Sequence, residues 1–416
     1  MSKKMAEFRR GWRSLLAAAI GNGSGLSGLA FYTFGVFVLP LVAAFGWTRG
    51  EVSIAASFLI IGTAITAPLV GSMIDRFGAR RVGLISMVAL AIGYALLTTI
   101  DGTIGTFYAA WLGLSLIGGG TTPVVWTRTV NIWFDRGRGL ALGLALAGSG
   151  LAGVFAPLLV TKVIAAYGWQ GGYLAIGAFI LVVSTPLIAL LLQERPVAGG
   201  ALPAGVGSAD TAAEPTTPLP GLELAQALRD LAFWKIAVGF FLVSAVIAAL
   251  IINLIPLLVD RGLDASKAAG IAGVMGIAVL VGRVVIGMLL DHLPSSLVAA
   301  VVLGLCALGC FVLSLPDAPL WVVGVSVLSL GLAAAAEVDL VAYLSSRFFG
   351  MRAYGKVYGW QLTSFYLGAA VGPLAAGMAY DRFGSYLPTL YFASAALLFG
   401  ALVTATLGKP RFVHED

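Results

Sequence analysis

Three ionisable residues lie inside stretches otherwise apolar enough to cross a bilayer: Arg283 in LVGRVVIGMLLDHL, and Glu337 and Asp339 in GLAAAAEVDLVAYLSSRFFG. A charge at the bilayer centre costs roughly 2.5 to 3.5 kcal/mol on insertion scales, so such residues face a cavity or a partner and mark a site. Arg283 carries a planar fork of donors that can grip a carboxylate through two bonds without giving up its proton. A carboxylate held away from water can exchange a proton, the property a proton-coupled carrier needs. Glu337 and Asp339 are two positions apart, so on a helix they project about 200° from one another and only one is expected to face a central cavity. Depth favours Glu337 as the titrating group, with Asp339 as the alternative and as a possible anchor for Arg128 or Arg347. A plainer reading makes Arg283 the permanent partner of one of these carboxylates. Arg128, in TTPVVWTRTVNIWF, is close enough to a membrane face either to snorkel or to act in gating and anion recruitment.

The elements that must hold these groups are transmembrane helices. Hydrophobic residues make up 59% of the chain and charged ones 11%, with a mean hydropathy of +0.98, which excludes an ordinary soluble domain. Apolar windows of about 20 residues separated by short polar breaks predict twelve spans, at 14–40, 52–74, 82–100, 105–131, 139–165, 171–192, 233–259, 267–290, 297–315, 319–346, 356–380 and 386–408. Their runs are continuous rather than alternating, so a β-barrel is excluded. The fold expected is an all-α integral membrane protein of twelve transmembrane helices in two six-helix bundles. Residues 1–195 form the first bundle, 196–230 a cytoplasmic linker rich in Pro, Gly, Ala and Thr, and 231–416 the second bundle. The halves match at an offset of 215 to 216 residues: Asp75 with Asp291, Phe134 with Phe349, Pro157 with Pro373, Gly168 with Gly384. Such a repeat suits a transporter whose site lies between the bundles near mid-membrane. The glycines at 139, 143, 148, 150 and 153 read as close-packing positions.

With the N-terminus inside, eighteen Lys and Arg fall in inside segments and five in outside ones. That bias predicts a multi-pass protein of the cell (inner) membrane with both termini cytoplasmic. It also accounts for the net +6, so no nucleic-acid partner is expected beside the lipid bilayer. Cys306 and Cys310 read as packing residues; no metal and no cofactor is expected. No GxxxxGK[ST] segment occurs, which argues against ATP-driven transport and leaves no enzymatic activity in view.

The loop GSMIDRFGARR, Gly71 to Arg81, with a weaker copy GMLLDHL at Gly287, resembles the loop motif of the major facilitator superfamily. FGWTRGEVS, WFDRGRGLALGLALAGSG and YGWQGGYLAIGA are similar to the monocarboxylate porter and oxalate/formate antiporter branch. Physically, Asp75 with Arg76, Arg80 and Arg81, and Asp291 in the second half, form charge clusters able to pair with helix ends when the bundles close, so they are expected to gate together with Arg128. The resemblance implies that Arg283 binds the carboxylate of a transported anion. It also implies a path lined by spans 1, 4, 7 and 10, which makes Asn22, Ser24, Ser27, Tyr32, Thr122, Trp126, Asn253 and Tyr343 candidates, joined by Trp360, Gln361, Ser364 and Tyr366 of span 11. Two departures stand out: Val279 replaces the Asp that some animal monocarboxylate carriers place one turn before the arginine, and span 11 lacks the lysine of oxalate/formate exchangers. With one deep cation fewer, a single carboxylate is a better substrate than a dianion. The expected protein is a monomeric secondary transporter of a small-molecule organic anion, a monocarboxylate with an apolar or aromatic body, moving with protons by alternating access. An exchanger or exporter on the same fold is the alternative, and a transport-dead sensor a more distant one.

Overall fold

Within a bilayer every backbone N–H and C=O must find its partner inside the segment or in a neighbouring protein surface, so these apolar runs become helices. The computed structural model describes residues 3–193, 220–263, 265–316 and 318–412. Among the described residues ten helical stretches are long and apolar enough to cross a membrane. One of them, Arg138–Leu191, holds two spans. They fold back at Gly168, whose φ of +71° with ψ of 178° is a backbone conformation that side chains disfavour. Span 4 is divided into Ile104–Ile117 and Pro123–Trp133 by a tight turn at Gly119–Thr121. Twelve crossings result.

The first crossing runs from Lys3–Ser24 through a wide turn at Leu26–Ala30 into Phe31–Phe45. Its helix therefore begins about ten residues before the predicted span. The second and third are Arg49–Phe77 and Ala79–Leu96. Spans 7 to 12 are Leu231–Asp260, Ala265–His292, Ser295–Ser314, Leu320–Phe349, Tyr354–Phe383 and Leu387–Ala405. Most of the predicted linker, its residues 196–219, lies outside the described residues. Its last stretch is not a free tether: Leu222 N donates to the Phe349 carbonyl at 2.8 Å and Met351 N to the Pro220 carbonyl at 2.9 Å.

The bundles meet along spans 2 and 11 and along spans 5 and 8. Glycine permits that approach. A Cβ on Gly71 would strike the Gly355 carbonyl, one on Gly139 the Gly287 carbonyl, and one on Gly143 the Arg283 carbonyl. Gly148 and Gly153 instead seat Ala19 and Tyr32 of span 1 within the first bundle.

Candidate functional site

A cavity of about 280 Å³ lies between the bundles, bounded by spans 1, 2, 4, 5, 7, 8, 10 and 11. Its charged lining consists of Arg283 and Glu337, and its polar lining includes Asn22, Ser27, Tyr32 and Tyr366. Those six residues are the part of the predicted site that the fold brings together. Arg283 is 8% exposed and Asp339 fully buried, and an Arg283 Nη1–H donates to Asp339 Oδ1 at 3.0 Å. Asp339 therefore neither faces the cavity nor anchors Arg128 or Arg347; it holds Arg283 in place. The roughly 200° between positions two apart explains the division, with Glu337 turned to the cavity and Asp339 to the crossing of spans 5, 8 and 10. Four polar atoms around this space lack a hydrogen-bond partner among the described residues: Arg283 Nε, Glu337 Oε2, Asn22 Oδ1 and Asp339 Oδ2.

Other candidates stand elsewhere, and their bonds show why. Trp126 is fully buried, donating from Nε1 to the Thr121 carbonyl at 3.0 Å and filling the space above Gly21. Tyr343 donates to the Leu290 carbonyl at 2.9 Å and lies under Arg347, 5.3 Å from ring centre to guanidinium. Asn253 accepts from Tyr386 Oη at 3.1 Å within the second bundle. Gln361 is engaged by Ser345, Ser364 by the Ala237 carbonyl and Thr122 by the Gly119 carbonyl. Ser24 donates to Ile20 O and borders a separate apolar space, about 420 Å³, against spans 5 and 6. That space is the larger, but its lining carries no charge. Trp360 is 48% exposed on the outer surface, as expected of an aromatic residue against lipid.

The gating candidates divide in the same way. Asp75 accepts from the amides of Gly355 and Lys356 at 3.1 and 2.9 Å, capping span 11 across the bundle interface. Asp291 accepts from the amides of Gly139 and Leu140 at 2.6 and 3.2 Å, capping span 5. These two carboxylates are repeat-related, and each satisfies orphan donors at a helix N-terminus of the opposite bundle. The cation beside Asp75 is Arg128, at 3.5 Å, whose Nη1–H also donates to the Ile74 carbonyl. The predicted cluster of Asp75 with Arg76, Arg80 and Arg81 does not form, because those three arginines point outward. Arg76 lies over the Phe77 ring and Arg80 donates to the Ala189 carbonyl.

Sequence reasoning missed a second interbundle network. Asp135 accepts from Arg347 at 2.7 Å and from Arg138 at 3.2 Å, and Arg138 reaches Ser346 at 3.2 Å. Glu7 receives the amides of Asp135, Arg136 and Gly137 at 3.2, 3.1 and 3.0 Å, while Phe8 packs on Phe134 and Lys4 pairs with Asp291 at 2.8 Å. The Glu inside the KKMAEFRR run was the available signal. Among the described residues, the hydrogen bonds and ion pairs joining the bundles lie between mid-span, where Thr363 donates to Ala64 O, and this end of the molecule. The cavity is thus sealed at the end carrying Asp75 and Asp291.

Two repeat-related bundles, a mid-span cavity with buried charges and a seal on one side are the architecture of a membrane transporter. Residues 20–373 match the Major Facilitator Superfamily, and the chain belongs to that family. It is 28% identical over 409 residues to monocarboxylate transporter 13 of Bos taurus, covering 95% of this chain and 89% of the relative. It is 27% identical over 422 residues to monocarboxylate transporter 11 of Homo sapiens, with 96% and 83% covered. The human organic anion transporter MFSD10 (TETRAN) shares the fold, at a TM-score of 0.71 and 16% identity, with 96% of this chain and 99% of that one covered.

Proposed function

We propose that the protein carries an organic monocarboxylate together with a proton, with the Asp75–Asp291 end in the cytoplasm and the cavity here accessible from outside. The observation that carries this reading is the pairing of one guanidinium and one cavity-facing carboxylate, Arg283 and Glu337, in a space otherwise lined mainly by apolar groups. Arg283 receives the substrate carboxylate, for which its unpartnered Nε–H and remaining Nη–H groups supply a fork. Glu337 carries the proton, because its free Oε2 stands at the cavity while Asp339 is committed to Arg283. Similarity to monocarboxylate transporters 13 and 11 supports the substrate class, and the Lys and Arg bias of the loops supports the orientation.

The test is uptake of a labelled monocarboxylate into proteoliposomes under an inward proton gradient, with Arg283→Lys as the variant. Lysine keeps the charge and loses the fork. Transport is expected to fall at least tenfold in a variant that still elutes as a folded protein, and unchanged kinetics refute the assignment.

A further inference from the structure

The bundle to which each charged group at the sealed end belongs decides which partner it keeps when the bundles part. Asp75 and Arg128, 3.5 Å apart, are both in the first bundle. So are Asp135 and Arg138, 3.2 Å apart, and Glu7 of the same bundle accepts from the Asp135 amide at 3.2 Å. Arg347 is placed differently. It stands on span 10 of the second bundle, 7% exposed, and donates through Nη1–H to Asp135 Oδ1 and through Nη2–H to the Asp135 carbonyl, both at 2.7 Å. Both bonds cross the interface, so a rigid separation at this end leaves Asp135 with Arg138 and carries Arg347 away without a carboxylate. The second bundle supplies no replacement among the described residues. Glu223 and Asp230 already pair with Arg352 and Arg411. The Tyr343 ring, 5.3 Å from the Arg347 guanidinium and bonded through its hydroxyl to the Leu290 carbonyl at 2.9 Å, stands between Arg347 and Asp291.

We infer that Arg347 is a second carboxylate station, taking the organic anion at the cytoplasmic mouth once the sealed end opens, with the Asp135 carboxylate in the anion's place while it is closed. This rests on the monocarboxylate reading and the orientation proposed above. Substrate and Asp135 compete for one fork of donors, so an anion on Arg347 opposes reclosure, and reclosure returns the fork to Asp135 and expels the anion. Arg347 is ten residues beyond Glu337 on the same helix, about 15 Å along its axis, which makes the station distinct from the cavity. Polar groups mark the interval. The Tyr354 hydroxyl stands 3.5 Å from the Ala342 carbonyl and donates to Thr127 Oγ1 at 3.1 Å. One turn further along span 4, Asn131, 3% exposed, has both side-chain amide atoms without a partner among the described residues.

The experiment measures the KM for labelled 3-phenylpropionate from each face of the full chain, in right-side-out and everted membrane vesicles under an inward proton gradient. If Arg347 served the seal alone, Asp135→Asn and Arg347→Gln would act alike, both favouring the cytoplasm-open state and lowering the cytoplasmic KM, and the second would add nothing to the first. The expected result is the opposite. Added to Asp135→Asn, in which the charge pair is already gone, Arg347→Gln raises the cytoplasmic KM relative to the extracellular one at least about fivefold, and Arg347→Lys raises it less. Arg347→Gln alone also raises the cytoplasmic KM, whereas Asp135→Asn alone does not. A KM ratio unchanged by Arg347→Gln, or a rise confined to the extracellular face, overturns this inference and leaves the reading of Arg283 standing. Absence of saturable 3-phenylpropionate uptake by the wild-type protein in both kinds of vesicle overturns both.

Discussion

Replacing Asp291 by Asn tests whether the seal between the bundles is held by helix capping. The Asp291 carboxylate, 1% exposed, accepts from Gly139 N at 2.6 Å and Leu140 N at 3.2 Å. Both donors belong to the other bundle, so the bonds exist only while this end is closed. Hydrogen bonds to a charged acceptor contribute about 1.5 to 3 kcal/mol and neutral ones about 1. Asparagine keeps one acceptor oxygen, turns its NH2 toward the second amide and loses the attraction of the helix N-terminus. The ion pair to Lys4, whose side chain is 27% exposed, adds little. Together these terms weaken the closed arrangement by about 3 kcal/mol, a shift of about 100-fold in the ratio of the two states. Cavity accessibility reads this out directly. In a background with Cys306→Ala and Cys310→Ala, a cysteine at the cavity-lining Ala248 is labelled by a membrane-impermeant thiol reagent from either side. Asp291→Asn is expected to slow labelling from the side opposite Asp291 and to accelerate it from the Asp291 side. Identical rates in the presence and absence of Asp291→Asn show that the cap does not set the equilibrium.

Gly71→Val places side-chain atoms where the Gly355 carbonyl now lies, so it is expected to obstruct closure and to shift Ala248→Cys labelling in the same direction as Asp291→Asn; labelling as in the parent protein counts against close approach of spans 2 and 11. Asp339→Asn leaves Arg283 without its counter-charge, and the uncompensated guanidinium is expected to lower the KM for a monocarboxylate at least threefold and to lower kcat as release slows. An unchanged KM with reduced kcat assigns Asp339 to folding alone.

Most of the fold was legible in the sequence because hydropathy and the basic-residue bias respond to the membrane itself, which acts on every span alike. The departures come where one residue changes the chain's course: Gly168 lets spans 5 and 6 run as one helical stretch folded at a single position, and the turn at Gly119–Thr121 shortens span 4. The site was legible to the extent that burying charge is costly. Arg283, Glu337 and Asp339 stand out on that ground alone, and the spacing of two correctly assigns the two carboxylates to different faces.

Polar aromatic and amide residues were less readable, since Trp126, Tyr343 and Gln361 can satisfy one hydrogen bond inside the protein as well as at a cavity, and sequence does not say which carbonyl will be near. The gate was legible in part. Pairing of Asp75 and Asp291 with helix ends was expected from the sequence, but backbone amides leave no trace in residue identity, so which helix each carboxylate meets, and the absence of Arg76, Arg80 and Arg81 from the cluster, were not readable. In the fold Asp75 and Asp291 each reach a helix N-terminus of the opposite bundle, and Glu7 reaches the amides of 135–137. This has a functional consequence. A seal made of carboxylates on backbone amides needs no ion-pair side chains moved out of each other's way before it parts, and because both repeat-related caps rest on the same interface they are expected to open together.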